Sequence, residues 1–215
     1  MINNIKSLIF DCDGVILNSN KVKKAAYYKV AFSYYGDRLA NLLVEYLAKN
    51  TGKPREHFFT HFLNNIVPSQ TVGPSVEELV IEVGEEIHKG LMECEISQSL
   101  FELRENTPDL KWLVVSGGVE SELRDIFTKR SLLDLFDAGV YGGPMTKDEI
   151  LNSLIKENKL EFPALFLGDS MYDHKAANRA NIDFLFVSEW SDFKGWKNYC
   201  NENKIVFIKS LCDLI

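Results

Sequence analysis

The sequence predicts an α/β fold: a Rossmann-like, doubly wound parallel sheet with a helical insertion near its start. Three observations carry that expectation. From about residue 97 onward, short apolar runs alternate with stretches of helical periodicity. Between about Asn20 and Lys89 the apolar residues recur only at helical spacing, with no convincing strand. The polar and glycine-rich motifs fall where the apolar runs end, and ligands of open parallel sheets bind at those carboxyl ends.

In order along the chain, the first strand is the buried run that starts at Ser7 and ends in Asp11-Cys12-Asp13-Gly14. In the insertion, Val22, Ala25, Ala26 and Phe32 fit one apolar helix face, and Leu39, Leu42, Leu43, Tyr46 and Leu47 fit a second. Gly52-Lys53-Pro54 breaks the pattern, and Phe58, Phe62 and Ile66 mark a third helix. Gly73-Pro74 is another break, before Val76, Leu79, Val80, Val83 and Ile87 on a fourth. The phenylalanines of this block are read as core.

A helix over 97–106 leads to the strand Lys111–Val115, which ends in Ser116-Gly117-Gly118 and opens a helix over 120–130. A short strand near Ala138–Tyr141 gives way to the loop Gly142-Gly143-Pro144, and Thr146 is placed to cap a helix reaching Lys156. The strand Pro163–Leu167 ends in Gly168-Asp169-Ser170. A helix carrying Ala176, Ala177 and Ala180 follows, then strands at Ile182–Val187 and Ile205–Ile208. The expected division is a core domain of residues 1–17 and 91–215 around a helical cap of residues 18–90.

Composition narrows the function. With 24 basic and 31 acidic residues the net charge of the 215-residue chain is -7. That disfavours nucleic acid and anionic membranes as partners, since both attract basic surfaces. A small anionic substrate feels only its local site. The four cysteines, Cys12, Cys94, Cys200 and Cys212, form no C-x-x-C pair and read as reduced thiols of a cytoplasmic protein. No apolar run approaches the roughly 18 residues of a membrane span, and MINNIKS is not expected to be a secretory signal.

The chemistry is concentrated in four places. Asp11 and Asp13 are one residue apart on a strand, so their side chains point the same way while Cys12 packs on the opposite face. Two carboxylates at the end of a buried strand are costly without a cation, and the hard ion that oxygen ligands suit is Mg2+. Ser116 and the amides of Gly117 and Gly118 can cradle an oxyanion, although the same residues also suit a plain turn. Lys147 lies in a helix's first turn, where the macrodipole disfavours a cation, but it is well placed beside a phosphate and a carboxylate. Asp169 and Asp173 sit four apart in a loop entering a helix.

These four motifs, in this order, resemble the haloacid dehalogenase superfamily of phosphotransferases. The matching residues are Asp11 and Asp13, Ser116, Lys147, and Asp169 with Asp173. The insertion after the first motif is similar to that superfamily's small helical cap, as in phosphoglycolate-phosphatase-like and β-phosphoglucomutase-like members. One departure is Asn18, where many relatives carry aspartate.

The resemblance implies a Mg2+-dependent phosphatase of a small phosphorylated metabolite, with Asp11 as nucleophile and Asp13 as general acid and base. It implies Mg2+ held by Asp11, the Asp13 backbone carbonyl and Asp169, with phosphoryl oxygens on Ser116, the Gly117 amide and Lys147. Asp173 would orient Lys147 or a metal-bound water. Arg55, in a segment similar to the G-x-S-R-E run of some caps, and Lys23, where sugar-phosphate mutases often carry histidine, are the expected substrate-selecting residues. The alternatives are a sugar phosphomutase and a non-catalytic phosphate-binding protein. Dehalogenation leaves Asp13 without a task, and a phosphonate-cleaving enzyme needs a cap lysine such as Lys21, Lys23 or Lys24.

Overall fold

In the computed structural model, which describes residues 2, 4–50 and 53–215, six strands lie in the order β3-β2-β1-β4-β5-β6, every neighbouring pair parallel. They are β1 (Ser7–Phe10), β2 (Lys111–Val119), β3 (Val140–Gly143), β4 (Ala164–Gly168), β5 (Asp183–Val187) and β6 (Val206–Ile208). The eight α-helices are α1 (Asn20–Lys49), α2 (Arg55–His61), α3 (Val76–Glu93), α4 (Leu100–Asn106), α5 (Glu120–Lys129), α6 (Lys147–Lys156), α7 (Met171–Arg179) and α8 (Trp196–Glu202). The chain steps from β1 outward to β2 and β3, then returns to β1's other side with β4 and continues outward. That reversal opens a crevice at the carboxyl ends of β1 and β4.

β1 is central, and all four of its residues are buried. A strand covered on both faces is apolar throughout rather than alternating, as Leu8-Ile9-Phe10 is. On one face the Phe10 ring lies 4.5 Å from that of Trp112, with Phe136 against both. The Trp112 indole N–H donates to Thr107 Oγ1 at 3.1 Å, so the ring is buried without an orphaned donor. On the other face Ile9, Leu113 and Phe166 pack with Ile150 and Leu151 of α6 and Ala176 and Ala177 of α7. The alanines let α7 approach the sheet closely.

The chain divides into two compact units, Met1–Asn20 with Cys94–Ile215, and Lys21–Glu93. The sequence-based bounds of 17/18 and 90/91 lie earlier on both sides. In the second unit, Tyr27 of α1 stacks on Phe59 of α2 at 5.3 Å, and Phe58, Phe59, Phe62, Leu79 and Val83 are buried. α1 kinks at Gly36, and a π-helical turn over Phe62–Ile66 continues α2. Phe32 and Leu42, expected on apolar faces, are 49% and 38% exposed. Ala26, Leu39 and Leu43 are buried as expected, joined by Tyr27, Val30 and Ala31, and the Phe32 ring lies over Tyr28. The break expected at Gly52 lies outside the described residues.

Three further features differ from expectation. β2 does not stop at Val115 but continues through Ser116–Val119, with a register shift against β3 between Val115 and Val119. Gly142 and Gly143 therefore belong to β3 rather than to a loop. A Cβ on Gly142 would lie 2.4 Å from the Gly118 carbonyl oxygen, so the approach needs glycine. α8 has no counterpart among the elements expected from the sequence.

The segments flanking the insertion also pair with each other. Ser97 N–H donates to the Ile16 carbonyl and Asn18 N–H to the Glu95 carbonyl, both at 2.9 Å, and Leu17 and Ile96 form an antiparallel bridge. The Asn18 amide donates to the Glu95 carboxylate at 2.8 Å. Aspartate at position 18 would set two carboxylates against each other there, whereas the asparagine donates.

Trp112→Ala should cost about 3–5 kcal/mol of stability, the range for emptying a large aromatic site in a core. Urea denaturation followed by circular dichroism should show the midpoint fall with little change in slope.

Candidate active site

The crevice between β1 and β4 collects four of the motif residues. Asp11 follows β1, and its N–H continues the ladder to the Leu167 carbonyl at 2.9 Å. The residue is 5% exposed. Oδ1 accepts the Cys12 N–H at 2.7 Å and the Lys147 ammonium at 2.7 Å. Lys147 reaches it from the first turn of α6. A reciprocal capping box between Thr146 and Glu149 fixes that turn.

The same ammonium contacts Asp173 Oδ1 at 2.5 Å. Asp173 is fully buried in the first turn of α7, and its Oδ2 accepts the N–H of Ser170 at 3.1 Å and its hydroxyl at 2.5 Å. Both oxygens of Asp173 are therefore engaged by the protein. Asp169 follows β4; its carbonyl accepts the Ser191 hydroxyl at 2.6 Å, and its Oδ2 accepts the Asn20 amide at 2.8 Å.

Asp13 enters a tight turn in which Gly14 N–H donates to the Leu17 carbonyl at 2.8 Å. Its Oδ1 accepts the Ser19 hydroxyl at 2.5 Å. Gly14 has φ +79°, and a Cβ there would lie 2.2 Å from Asp169 Oδ2. Only glycine satisfies both the backbone and the space.

Ser116 is buried near the end of β2, and its Oγ accepts the Gly118 N–H at 3.1 Å. Gly117 is exposed. Because β2 runs on to Val119, these residues form an irregular strand end, and α5 starts only at Glu120. The helix that follows begins at Glu120, where the sequence places it. Lys23 on α1 and Arg55, the first residue of α2, belong to the Lys21–Glu93 unit and are half-buried.

Two participants carry no sequence signal of their own: Asn20 and Ser191. Asn20 follows the Asp11–Ser19 segment so closely that it reads as a polar residue opening a helix. Ser191 lies in a loop outside every motif.

The electrostatics are those of crowded anions. Burial first, then Asp173, push Asp11 up to about 7 against the pull of Lys147. Burial, then Asp11 and Asp173, raise Asp169, and the Asn20 hydrogen bond opposes this. Burial works against the Lys147 charge, but Asp11 and Asp173 outweigh it and hold the ammonium above its ordinary range. One oxygen from each of Asp11, Asp169 and Asp173 lies within 4.8 Å of the others. A single ammonium faces three buried carboxylates, and only Asp173 has both oxygens taken by the protein. An oxygen-rich set with this deficit of positive charge fits a hard divalent cation such as Mg2+, carried on Asp11 and Asp169.

Comparison with known proteins places these features in context. The family model described as "Haloacid dehalogenase-like hydrolase" matches residues 8–187. Among solved structures, a haloacid dehalogenase-like family hydrolase from Streptococcus pneumoniae is 21% identical with a TM-score of 0.70, over 98% of this chain and 97% of the other. A Lactobacillus plantarum protein provisionally named phosphoglycolate phosphatase is 21% identical with a TM-score of 0.69, over 98% of each chain. A Thermotoga maritima protein provisionally named β-phosphoglucomutase is 20% identical with a TM-score of 0.69, over 96% of this chain and 94% of the other. No curated protein matches the chain. Among the described residues, no helix is long and apolar enough to cross a membrane.

The raised Asp11 sets a pH dependence. Unfolded, this carboxyl titrates near its ordinary 3.8, and in the folded metal-free chain near 7. The folded state binds the extra proton between those values, so Asp11's contribution to stability is full below about pH 4 and is lost as pH rises to about 7. Thermal unfolding of the metal-free protein should show the wild-type midpoint falling relative to Asp11→Asn across that window. Mg2+ should raise the wild-type midpoint more at pH 8 than at pH 5.5, because it needs the ionised carboxylate.

Proposed function

The chain belongs to the haloacid dehalogenase-like hydrolases, and from that premise we propose that it is a Mg2+-dependent phosphatase. It hydrolyses a small phosphomonoester through an aspartyl-phosphate on Asp11. One observation carries the reading: a buried carboxylate at the sheet's switch point, bonded to a lysine that a second buried carboxylate holds.

In the proposed reaction an Asp11 oxygen attacks phosphorus, and Asp13 gives its proton to the departing alkoxide oxygen. Asp13 then takes a proton from the water that attacks the phosphorus of the aspartyl-phosphate, which frees phosphate and restores Asp11. The Ser19 hydroxyl fixes the Asp13 side chain for both transfers. Ser116, the Gly117 amide and Lys147 hold the phosphoryl oxygens, and Asp173 keeps Lys147 aimed at them. Bound Mg2+, held by Asp11, the Asp13 carbonyl and Asp169, would supply neutralisation of the phosphoryl charge.

For the substrate we propose a sugar or sugar-acid phosphate, with Arg55 and Lys23 selecting its far end. A guanidinium suits a carboxylate or second phosphate in bidentate fashion. A phosphomutase is the second reading, supported by the name of the Thermotoga maritima neighbour. Lysine rather than histidine at position 23 speaks for hydrolysis.

Phosphate release from a panel of sugar phosphates, nucleotides and phosphoglycolate tests the assignment. Asp11→Asn should abolish turnover and acyl-phosphate formation, and near wild-type activity in it would overturn the reading. Asp13→Asn should lose about 10²–10⁴-fold in kcat while still binding Mg2+, whereas Asp169→Asn should weaken Mg2+ binding in calorimetry.

Arg55→Ala should lower kcat/KM strongly for the best substrate of that panel and little for p-nitrophenyl phosphate. Equal losses on both would assign Arg55 to the fold instead.

A further inference from the structure

Asn20 opens α1 yet belongs to the same compact unit as the sheet. An asparagine at a helix start ordinarily caps it, accepting a backbone N–H on its side-chain oxygen. Here the amide nitrogen is the bonded group. It donates to Asp169 Oδ2 at 2.8 Å and to the Trp190 carbonyl at 3.0 Å, which uses both of its hydrogens.

The neighbouring residue of that loop, Ser191, donates its hydroxyl to the Asp169 carbonyl at 2.6 Å, and Phe193 N–H donates to the same hydroxyl at 3.2 Å. Asp169 is thus tied to the loop after β5 twice, through its own backbone and, by way of Asn20, through its carboxylate. Gly14 closes a further side: a Cβ on it would lie 2.2 Å from Asp169 Oδ2 and 2.7 Å from the Asn20 amide nitrogen. The carboxylate cannot swing toward Gly14, and the amide is packed where it stands.

We propose that Asn20 is a positioning residue for the divalent cation. It fixes the Asp169 carboxylate by one oxygen, so that the other is presented to the ion without a rotamer search. The inference rests on the reading of Asp169 as a metal ligand. Groups that orient metal ligands in this way typically change metal affinity by about 10–100-fold when removed.

The test is calorimetric titration of Mg2+ into the full-length protein, with the thermal midpoint of the metal-free form measured alongside. Asn20→Ala should raise the Mg2+ dissociation constant about 10–100-fold. The kcat at saturating Mg2+ and the KM for substrate should change far less than the Mg2+ dependence. Asn20→Ser keeps a hydroxyl donor and should fall between wild type and Asn20→Ala; it carries the comparison with wild type if the alanine chain does not fold. In an Asp169→Asn background, Asn20→Ala should add little.

An unchanged Mg2+ affinity in Asn20→Ala, with only the metal-free midpoint lowered, would overturn the proposal and leave Asn20 as a fold contact. If Asp169→Asn itself leaves Mg2+ affinity intact, the metal reading of Asp169 fails first. If Asp169→Asn weakens binding and Asn20→Ala does not, the positioning role alone fails.

Discussion

The Lys147 ammonium, held between Asp11 and Asp173, is the contact on which the rest of the site depends. It joins the end of β1 to the first turns of α6 and α7, so three elements far apart in sequence meet at one charge. Each is fixed by its own local rule: the β1–β4 ladder for Asp11, and a capping box for each helix start. Buried ion pairs of this kind gain little net stability, because desolvation offsets the attraction. What they supply is a unique geometry. A lysine at a helix N-terminus is unfavourable by the macrodipole, and two carboxylates at bonding distance compensate for that.

On the proposed reading, the same arithmetic ties the cation to the substrate. Buried anions outnumber the one ammonium, so a phosphate group entering alone meets net repulsion. A divalent ion between the carboxylates and the phosphate removes the conflict. Asp173 is already satisfied on both oxygens, which leaves Asp11 and Asp169 as the pair with capacity to share a cation.

Much of this arrangement is legible in the amino-acid sequence. Asp11, Lys147, Asp169 and Asp173 sit at strand ends or helix starts, and a parallel sheet gathers such positions at one edge. Thr146 is recognisable as a cap because its hydroxyl and Glu149 stand three residues apart. What escapes the sequence depends on contacts between distant segments. Ser116-Gly117-Gly118 looks like a strand end, but β3 offers it partners through Gly143, and Gly142 makes room for the approach, so β2 continues. Phe32 has the right spacing for a core face, yet at that turn of α1 Val30 and Ala31 are the buried residues. Asn20 has an ordinary local role available, and only the fold brings Asp169 and Trp190 to its amide.

The paired segments at Ile16–Asn18 and Glu95–Ser97 have an evolutionary consequence. Because the insertion leaves and re-enters the sheet unit at one doorway, its two ends are already closed by hydrogen bonds that the sheet unit supplies itself. Loop-closure entropy grows only slowly with the length of what is inserted. A lineage can therefore lengthen, shorten or exchange the unit Lys21–Glu93 without renegotiating the strands that carry the chemistry. The Asn18–Glu95 hydrogen bond stays with the doorway, while the residues of the inserted unit are free to follow whatever substrate selection favours.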